Sequence, residues 1–486
     1  MLVVIGIAFI LWYDEENLIL LRLLSIYIEK GNGDIMQENR EEWGSKVGFI
    51  LASAGSAIGI GAIWKLPYVA ATAGGGAFFL LFLVLTLLVV MPLLIAEFVI
   101  GRGSGGDAVQ AYKTLAPGTK WSLLGKLGVV GASILFSFYS VVGGWIITYL
   151  IKTLAGGIAG ENQASLLHDF QVTTANPWIS VGATILFILL NVIVISRGVV
   201  SGIEKMSKFM MPALFILFIV LIIRSLTLPG AMEGVAFFLR PDFSHFTAQT
   251  VLITLGQAFF SLSVGISVMV TYSSYLNRST SLPQSAISVS LMNVFVSLLA
   301  GLAIFPAAFS FNITPDAGPG LLFVILPSIF NQMPFGMLFF IIFLILFLFA
   351  ALTSSFSMLE ATVAPLMNAG VNRKKASLWM GLVIVLMAIP SALSFGVWSD
   401  VQIFGLSIFD AADYLVSNII LPVGALFIAI FVGYRLPREL LLKEFTTSSH
   451  FGKKVFIVWL FLIKYIAPIA IILVFLSATG LIDFLF

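Results

Sequence analysis

Two interruptions, the first of them glycine-rich, and two carboxylates stand inside stretches otherwise apolar enough to cross a bilayer. The first interruption, AGSAIGIGAIWKLPYVAATAGGGAF, runs from Ala54 to Phe78 and sets Gly55, Gly59, Gly61 and the triplet Gly74, Gly75, Gly76 around Pro67; the second is SLSVG at 261–265. Breaking a helix in hydrocarbon frees backbone N–H and C=O groups that water cannot satisfy, so it is tolerated only where they line a cavity or hold a ligand. Freed carbonyls suit a small hard cation, and the N-terminus of a half-helix suits a carboxylate. Small residues also serve as packing notches between membrane helices, but glycines this numerous, bracketing a proline, favour a real break. Glu97 and Glu360 need partners, because a bare charge in lipid costs several kcal/mol. A bracing role and a proton-relay role are both open to them. Other chemistry is poorly served: there is no cysteine, and His168, His245 and His450 all fall in polar joints, which argues against a thiolate, a triad or a histidine metal site and hence against an enzyme.

The elements that must position these residues follow from composition. With 60% hydrophobic and 10% charged residues over 486 positions, the chain has too little polar surface for a soluble globule and reads as an all-α polytopic membrane protein. A bilayer core takes roughly 20 apolar residues per helix. About eleven such runs occur, near 48–69, 77–101, 122–152, 176–196, 203–226, 247–275, 284–310, 335–367, 376–394, 404–432 and 454–484. The absence of period-two alternation excludes an outer-membrane barrel. On this topology Arg102, Lys113, Arg197, Arg373, Lys374, Lys375, Arg435 and most other cations share the side of residues 30–46, leaving Lys152, Arg224 and Arg240 opposite. The positive-inside rule makes the first side, and the N-terminus, cytoplasmic, in a plasma (inner) membrane. The net charge of +2 reports topology and gives no sign of nucleic-acid binding.

Residues 1–35 hold an apolar run too short to span, and MQENREEWGSKVGF from Met36 reads as a natural start; they are expected to be a dispensable extension or an upstream-start artefact, with a peripheral interfacial helix as the alternative. No linker divides residues 36–486, which are expected to form a single domain. The break in the first span recurs five spans later in the sixth. An odd number of spans per repeat inverts the second copy, the arrangement of inverted-repeat transporters whose broken helices meet at the midplane. The expectation is a five-plus-five inverted repeat, about 43–226 and about 247–432, with an extra helix at about 454–484.

The segment WGSKVGFILASAGSAIGIGAIWKLPYVAATAGGGAF and, after it, PLLIAEFVIGRGSGG carry a further signal, as do NVIVISRGVVSGIEKMSKFMMP, LGQAFFSLSVGISVMVTYSSY, AALTSSFSMLEATVAP and FDAADYLVSNIILPVGALF. Together they resemble the neurotransmitter:sodium symporter family, in its eleven-span bacterial amino-acid-transporting branch. The resemblance implies one sodium site from the carbonyls of Gly55, Ile58 and Ala350 with the hydroxyls of Thr353 and Ser354. It implies a second from the Ala57 carbonyl, Ser261, Asn293 and the substrate carboxylate. That second site is weakened, because the family's asparagine after the GxG break is Ala62 here. At the chloride positions the chain reads Phe82, Gln257, Ser261, Asn293 and Ser297, and the loss of the usual tyrosine at Phe82 weighs against tight chloride binding.

By the same resemblance, the amides of Ile60 and Gly61 and the Tyr139 hydroxyl would take a substrate carboxylate. The carbonyls of Ala57, Phe260, Ser261 and Ser263 would take its ammonium, beside Ser354. Monoamine carriers have an aspartate where this chain has Gly59, so the ligand should bring its own carboxylate. Leu135, Val142, Ile266 and Met358 would surround an apolar side chain, large or aromatic. Phe260 would be the lid, with Lys65 in place of an arginine facing Asp413 outside it, and Arg40, Trp43 and Tyr275 the inner latch, whose usual aspartate is Asn368 here. Gly202 and Pro212 keep a spacing that lets the fifth span unwind. The implied function is a sodium-coupled symporter of neutral hydrophobic amino acids working by alternating access in the lipid bilayer. A proton-coupled carrier of the same fold and a non-transporting amino-acid sensor are the alternatives. Oligomeric state is not legible.

Overall fold

The computed structural model describes residues 41–158, 160, 162–244, 246–311 and 321–481. The extension at 1–35 and Arg40 lie outside the described residues. Among those described, nine helices are long and apolar enough to cross a membrane, and a tenth crossing is the bent pair Lys46–Ala57 and Gly61–Thr72. The remaining apolar run, the expected sixth, is divided into Ala248–Leu262 and Val268–Ser274. The spans therefore fall where the apolar runs put them: Gly76–Ser104 second, Ser122–Leu154 third, Pro177–Ile195 fourth, Val199–Leu226 fifth. After the broken sixth come Leu282–Ser310, Gly336–Asn368, Arg373–Leu393, Ile408–Arg435 and Lys453–Ala478.

Local chemistry sets the starts. Ser45 caps the first span by accepting from the Gly48 amide, and Asn176 caps the fourth with Pro177 at its first position. Ser281 and Asn372 do the same for the seventh and ninth. Each side-chain oxygen satisfies an amide that the helix itself leaves unpaired. Between spans, shorter helices (Ala108–Leu115, Gln163–Ala175, Ala231–Leu239 and Arg438–Thr446) and a two-stranded ribbon at 402–407 cover the ends of the bundle.

The two long helices of the bundle, the third and eighth, pack along one another, and the eighth also packs against the first. The two breaks differ in form. The first is a bend of 54° after Ala57, followed by one wide turn over Gly61–Lys65. The sixth span stops outright: Ser263 (φ 52°), Gly265 (φ 109°) and Ser267 (φ 55°) all lie in the left-handed region, which no right-handed helix can include. At Gly265 a Cβ would come within 2.3 Å of the Leu421 carbonyl oxygen, so both the conformation and the close approach of the tenth span require glycine.

Candidate functional site

Buried backbone groups must find partners, and the groups freed at the first break find them on four other spans. Ser354 Oγ of the eighth donates to the Ser56 carbonyl at 3.0 Å. Asn293 Nδ2 of the seventh donates to the Ala57 carbonyl at 3.0 Å. The Ile60 amide donates to Tyr139 Oη of the third at 3.2 Å, and Gln257 Nε2 of the sixth donates to the Gly61 carbonyl at 3.1 Å. The glycines make room: a Cβ on Gly59 would lie 2.7 Å from Ser354 Oγ and 2.9 Å from Tyr139 Oη, and one on Gly61 2.7 Å from the Phe260 ring.

These groups surround a small cavity lined by Ala57, Gly59, Ile60, Gly61, Leu135, Tyr139, Phe260, Ser261, Ser263, Ser354, Met358 and Leu421. No carboxylate or cationic side chain is among these lining residues. Ten of the twelve residues expected to form a substrate site lie there, and two do not. Val142 and Ile266 are buried outside the lining; Ile266 instead packs on the third span, where a Cβ on Gly131 would lie 3.0 Å from its Cγ2. The regular helix ends at Leu262, four residues before Ile266, so helical spacing no longer predicts which way that side chain faces. Leu421, from the tenth span, takes the wall position and carries no signal in a run that is apolar throughout. Gly59 lines the cavity as backbone.

The two oxygen clusters flanking the break are built differently. At the first, Gly55 lies so close to the eighth span that a Cβ would be 2.8 Å from Thr353 Cβ and 3.2 Å from its Oγ1. Thr353 Oγ1 donates back to Phe349 O (3.0 Å) and Ala350 O (3.2 Å), the usual fate of a membrane-helix hydroxyl. Ser354, next in sequence, crosses to the first span instead. Each hydroxyl has thereby committed its proton and keeps oxygen lone pairs, Thr353 beside Gly55 and the Ala350 carbonyl and Ser354 beside Gly59. At the second cluster Asn293 Nδ2 reaches Ala57 O and, at 3.4 Å, Ser261 O, while Ser261 Oγ donates to Asn293 Oδ1 at 3.0 Å. These oxygens are tied to one another, and Ala62, fully buried, contributes none.

Glu97 braces the sixth span: Oε1 accepts from the Gly265 amide at 2.7 Å and Oε2 from the Met269 amide at 3.2 Å. Glu360 receives Arg373 Nη1 at 2.8 Å and Tyr275 Oη at 2.6 Å. At the mouth nearest Phe260 the expected Lys65–Asp413 pair is not formed. Lys65 Nζ sits 4.2 Å from the centre of the Phe260 ring, a cation–π contact, and Asp413 receives Ser417 Oγ. At the opposite mouth Trp43 Nε1 donates to Tyr272 O, and the Trp43 amide to Tyr275 O. Asn368 donates its amide to Asp107.

The model of the sodium:neurotransmitter symporter family matches residues 40–173 and 177–483. The chain belongs to this family. As a member it is a sodium-dependent transporter and a multi-pass membrane protein, of a family that transports and does not catalyse. It is 51% identical to the uncharacterized sodium-dependent transporter YhdH of Bacillus subtilis over 91% of this chain and 98% of that one. It is 37% identical to a sodium-dependent transporter of Haemophilus influenzae over 90% and 98%. Its fold superimposes with TM-score 0.83 on the crystal structure of MhsT in complex with L-phenylalanine, at 41% identity over 90% of this chain and all of that one. The five-plus-five inverted-repeat fold, with its first and sixth helices broken, is thus that of this symporter family.

Proposed function

We propose that this symporter couples the inward movement of sodium to that of a neutral hydrophobic amino acid, aromatic ones included, by alternating access. The observation that carries the reading is the cavity at the breaks. It offers backbone amides and the Tyr139 hydroxyl to a carboxylate, carbonyls of the sixth-span break to an ammonium, and Leu135, Met358 and Leu421 to an apolar side chain, with no fixed charge. A lone amine finds no counter-ion there, and a charged side chain would be desolvated without a partner. That a 41% identical relative has been solved with L-phenylalanine supports the same class.

Sodium is assigned to Gly55, Ile58, Ala350, Thr353 and Ser354, an all-oxygen set without a carboxylate that suits an ion which must leave again. The set around Ala57, Ser261 and Asn293 is assigned at most a weak second ion. One ion at 100 mV supplies about 2.3 kcal/mol, and a tenfold gradient about 1.4 more, so coupling to one sodium limits accumulation to roughly several-hundred-fold. Chloride is not required. Repeats at about 43–226 and 247–432 move against each other with residues 41–48 on the cytoplasmic side, and residues 1–35 are dispensable. Glu97 and Glu360, both held by fixed donors, serve structure. Uptake of a labelled amino-acid panel into proteoliposomes, with sodium replaced by potassium, tests the reading: sodium-dependent uptake of phenylalanine and leucine is expected, and uptake that instead follows a pH gradient would overturn it.

A further inference from the structure

The end of the bundle that carries residues 41–48 is held by charges in positions the sequence reading did not single out. Glu204, at the start of the fifth span and only 2% exposed, reaches across to the first: Oε2 accepts from the Gly44 amide at 2.8 Å and Oε1 from Ser45 Oγ at 2.8 Å. Lys208, one turn on, balances it at 2.6 Å. In return Glu41, just before the first span, accepts from the Val199 amide at 2.7 Å, the first residue of the fifth. Each helix N-terminus is thus met by a carboxylate belonging to the other, where unpaired amides and the helix dipole favour negative charge.

Glu41 also pairs with Arg373 Nη2 at 2.8 Å, and Arg373 continues to the buried Glu360 and so to Tyr275. The first, fifth, sixth, eighth and ninth spans are joined by this one chain. Gly48 is part of the fit, since a Cβ there would lie 2.2 Å from Glu204 Cδ. Asn368 donates its amide to Asp107, where a carboxylate would face a second carboxylate.

We propose that this reciprocal clasp, Glu41 on the fifth span and Glu204 on the first, is the inner gate of the transporter, and that Glu41, Glu204 and Arg373 are positioning residues which set how often that mouth opens. The proposal rests on the alternating-access reading above. Parting the first span from the fifth removes both carboxylates from both N-termini at once, so the two contacts break together.

The chain has no cysteine, so a single introduced thiol reports without background. Gly48, Ala52 and Gly55 lie on one helical face, between Glu204 and Thr353, and Ala52 is 1% exposed. In protein carrying Ala52→Cys, reaction with a water-soluble maleimide should quicken about tenfold when Glu204→Gln or Glu41→Gln is added, the change in open population expected from losing one charge-assisted contact. Lys152→Ala, which removes an ion pair to Asp169 elsewhere, should leave the rate unchanged. Retained binding of labelled phenylalanine identifies folded variants.

A second route needs neither glutamate changed. A Cβ on Gly44 would lie 3.3 Å from a Val200 methyl, so oxidising the Gly44→Cys, Val200→Cys pair should stop uptake and leave binding, with reduction restoring turnover. Labelling at the parent rate in both glutamine variants, or uptake that continues through the formed cross-link, would overturn the clasp. Failure of the parent protein to take up amino acids with sodium would instead overturn the transport reading, whatever the thiol reports.

Discussion

The two oxygen clusters beside the first break contain similar atoms and differ in what those atoms already hold. Around Thr353 and Ser354 the hydroxyl protons point away, to Phe349, Ala350 and Ser56, leaving lone pairs beside Gly55. Around Asn293 an amide donates to the Ala57 and Ser261 carbonyls, and the Ser261 hydroxyl donates to the Asn293 oxygen. In the second cluster an amide already donates to two of the carbonyls, and Ala62 supplies no oxygen. An ion site is therefore a matter of uncommitted lone pairs as much as of oxygen count.

The comparison can be broken first at its stronger half. Replacing both Thr353→Ala and Ser354→Ala removes two oxygens from that cluster, and sodium-dependent uptake is expected to fall about 100-fold, at roughly tenfold per lost contact. The same pair of changes should raise the sodium concentration for half-maximal binding, whereas Ser261→Ala should shift it only a fewfold. Next in size, Tyr139→Phe removes the hydroxyl that meets the Ile60 amide at 3.2 Å; phenylalanine affinity is expected to drop about tenfold, read by equilibrium binding at saturating sodium.

Ala62→Asn sharpens the comparison from the weaker half. It supplies the missing oxygen, and the sodium dependence of binding should steepen from a Hill slope near one towards two, with half-saturation lowered severalfold. The smallest effect is expected at the proposed outer mouth, where Lys65 rests on Phe260 and does not reach Asp413. Lys65→Arg offers a two-pronged donor and should slow uptake by about twofold as the outer gate closes more firmly, with substrate affinity unchanged.

Much of this was legible in the sequence because a bilayer imposes a simple rule. Runs of sufficient apolar length had to be spans, and glycine clusters within them had to mark breaks, so the bundle and ten of twelve cavity residues could be placed from residue type and resemblance. The failures share a cause. Ile266 follows Gly265, beyond the end of the regular helix, where the periodicity that would predict its direction is lost. Leu421 is an apolar residue in an apolar run, indistinguishable from its neighbours until the tenth span is seen against the sixth. The Lys65–Asp413 pair was expected from matching positions, but a nearby aromatic face competes for the cation. Glu41, Glu204 and Arg373 are ordinary charges at span ends in the sequence; only the approach of the first span to the fifth makes them partners.

The most direct test of one-ion coupling is the steady-state accumulation of labelled phenylalanine in proteoliposomes holding a series of sodium gradients at zero membrane potential. Plotted logarithmically against the gradient, accumulation should rise with a slope near one. A slope near two would show that the Asn293 cluster carries a second ion despite Ala62, and a slope of zero would contradict sodium coupling at this site altogether.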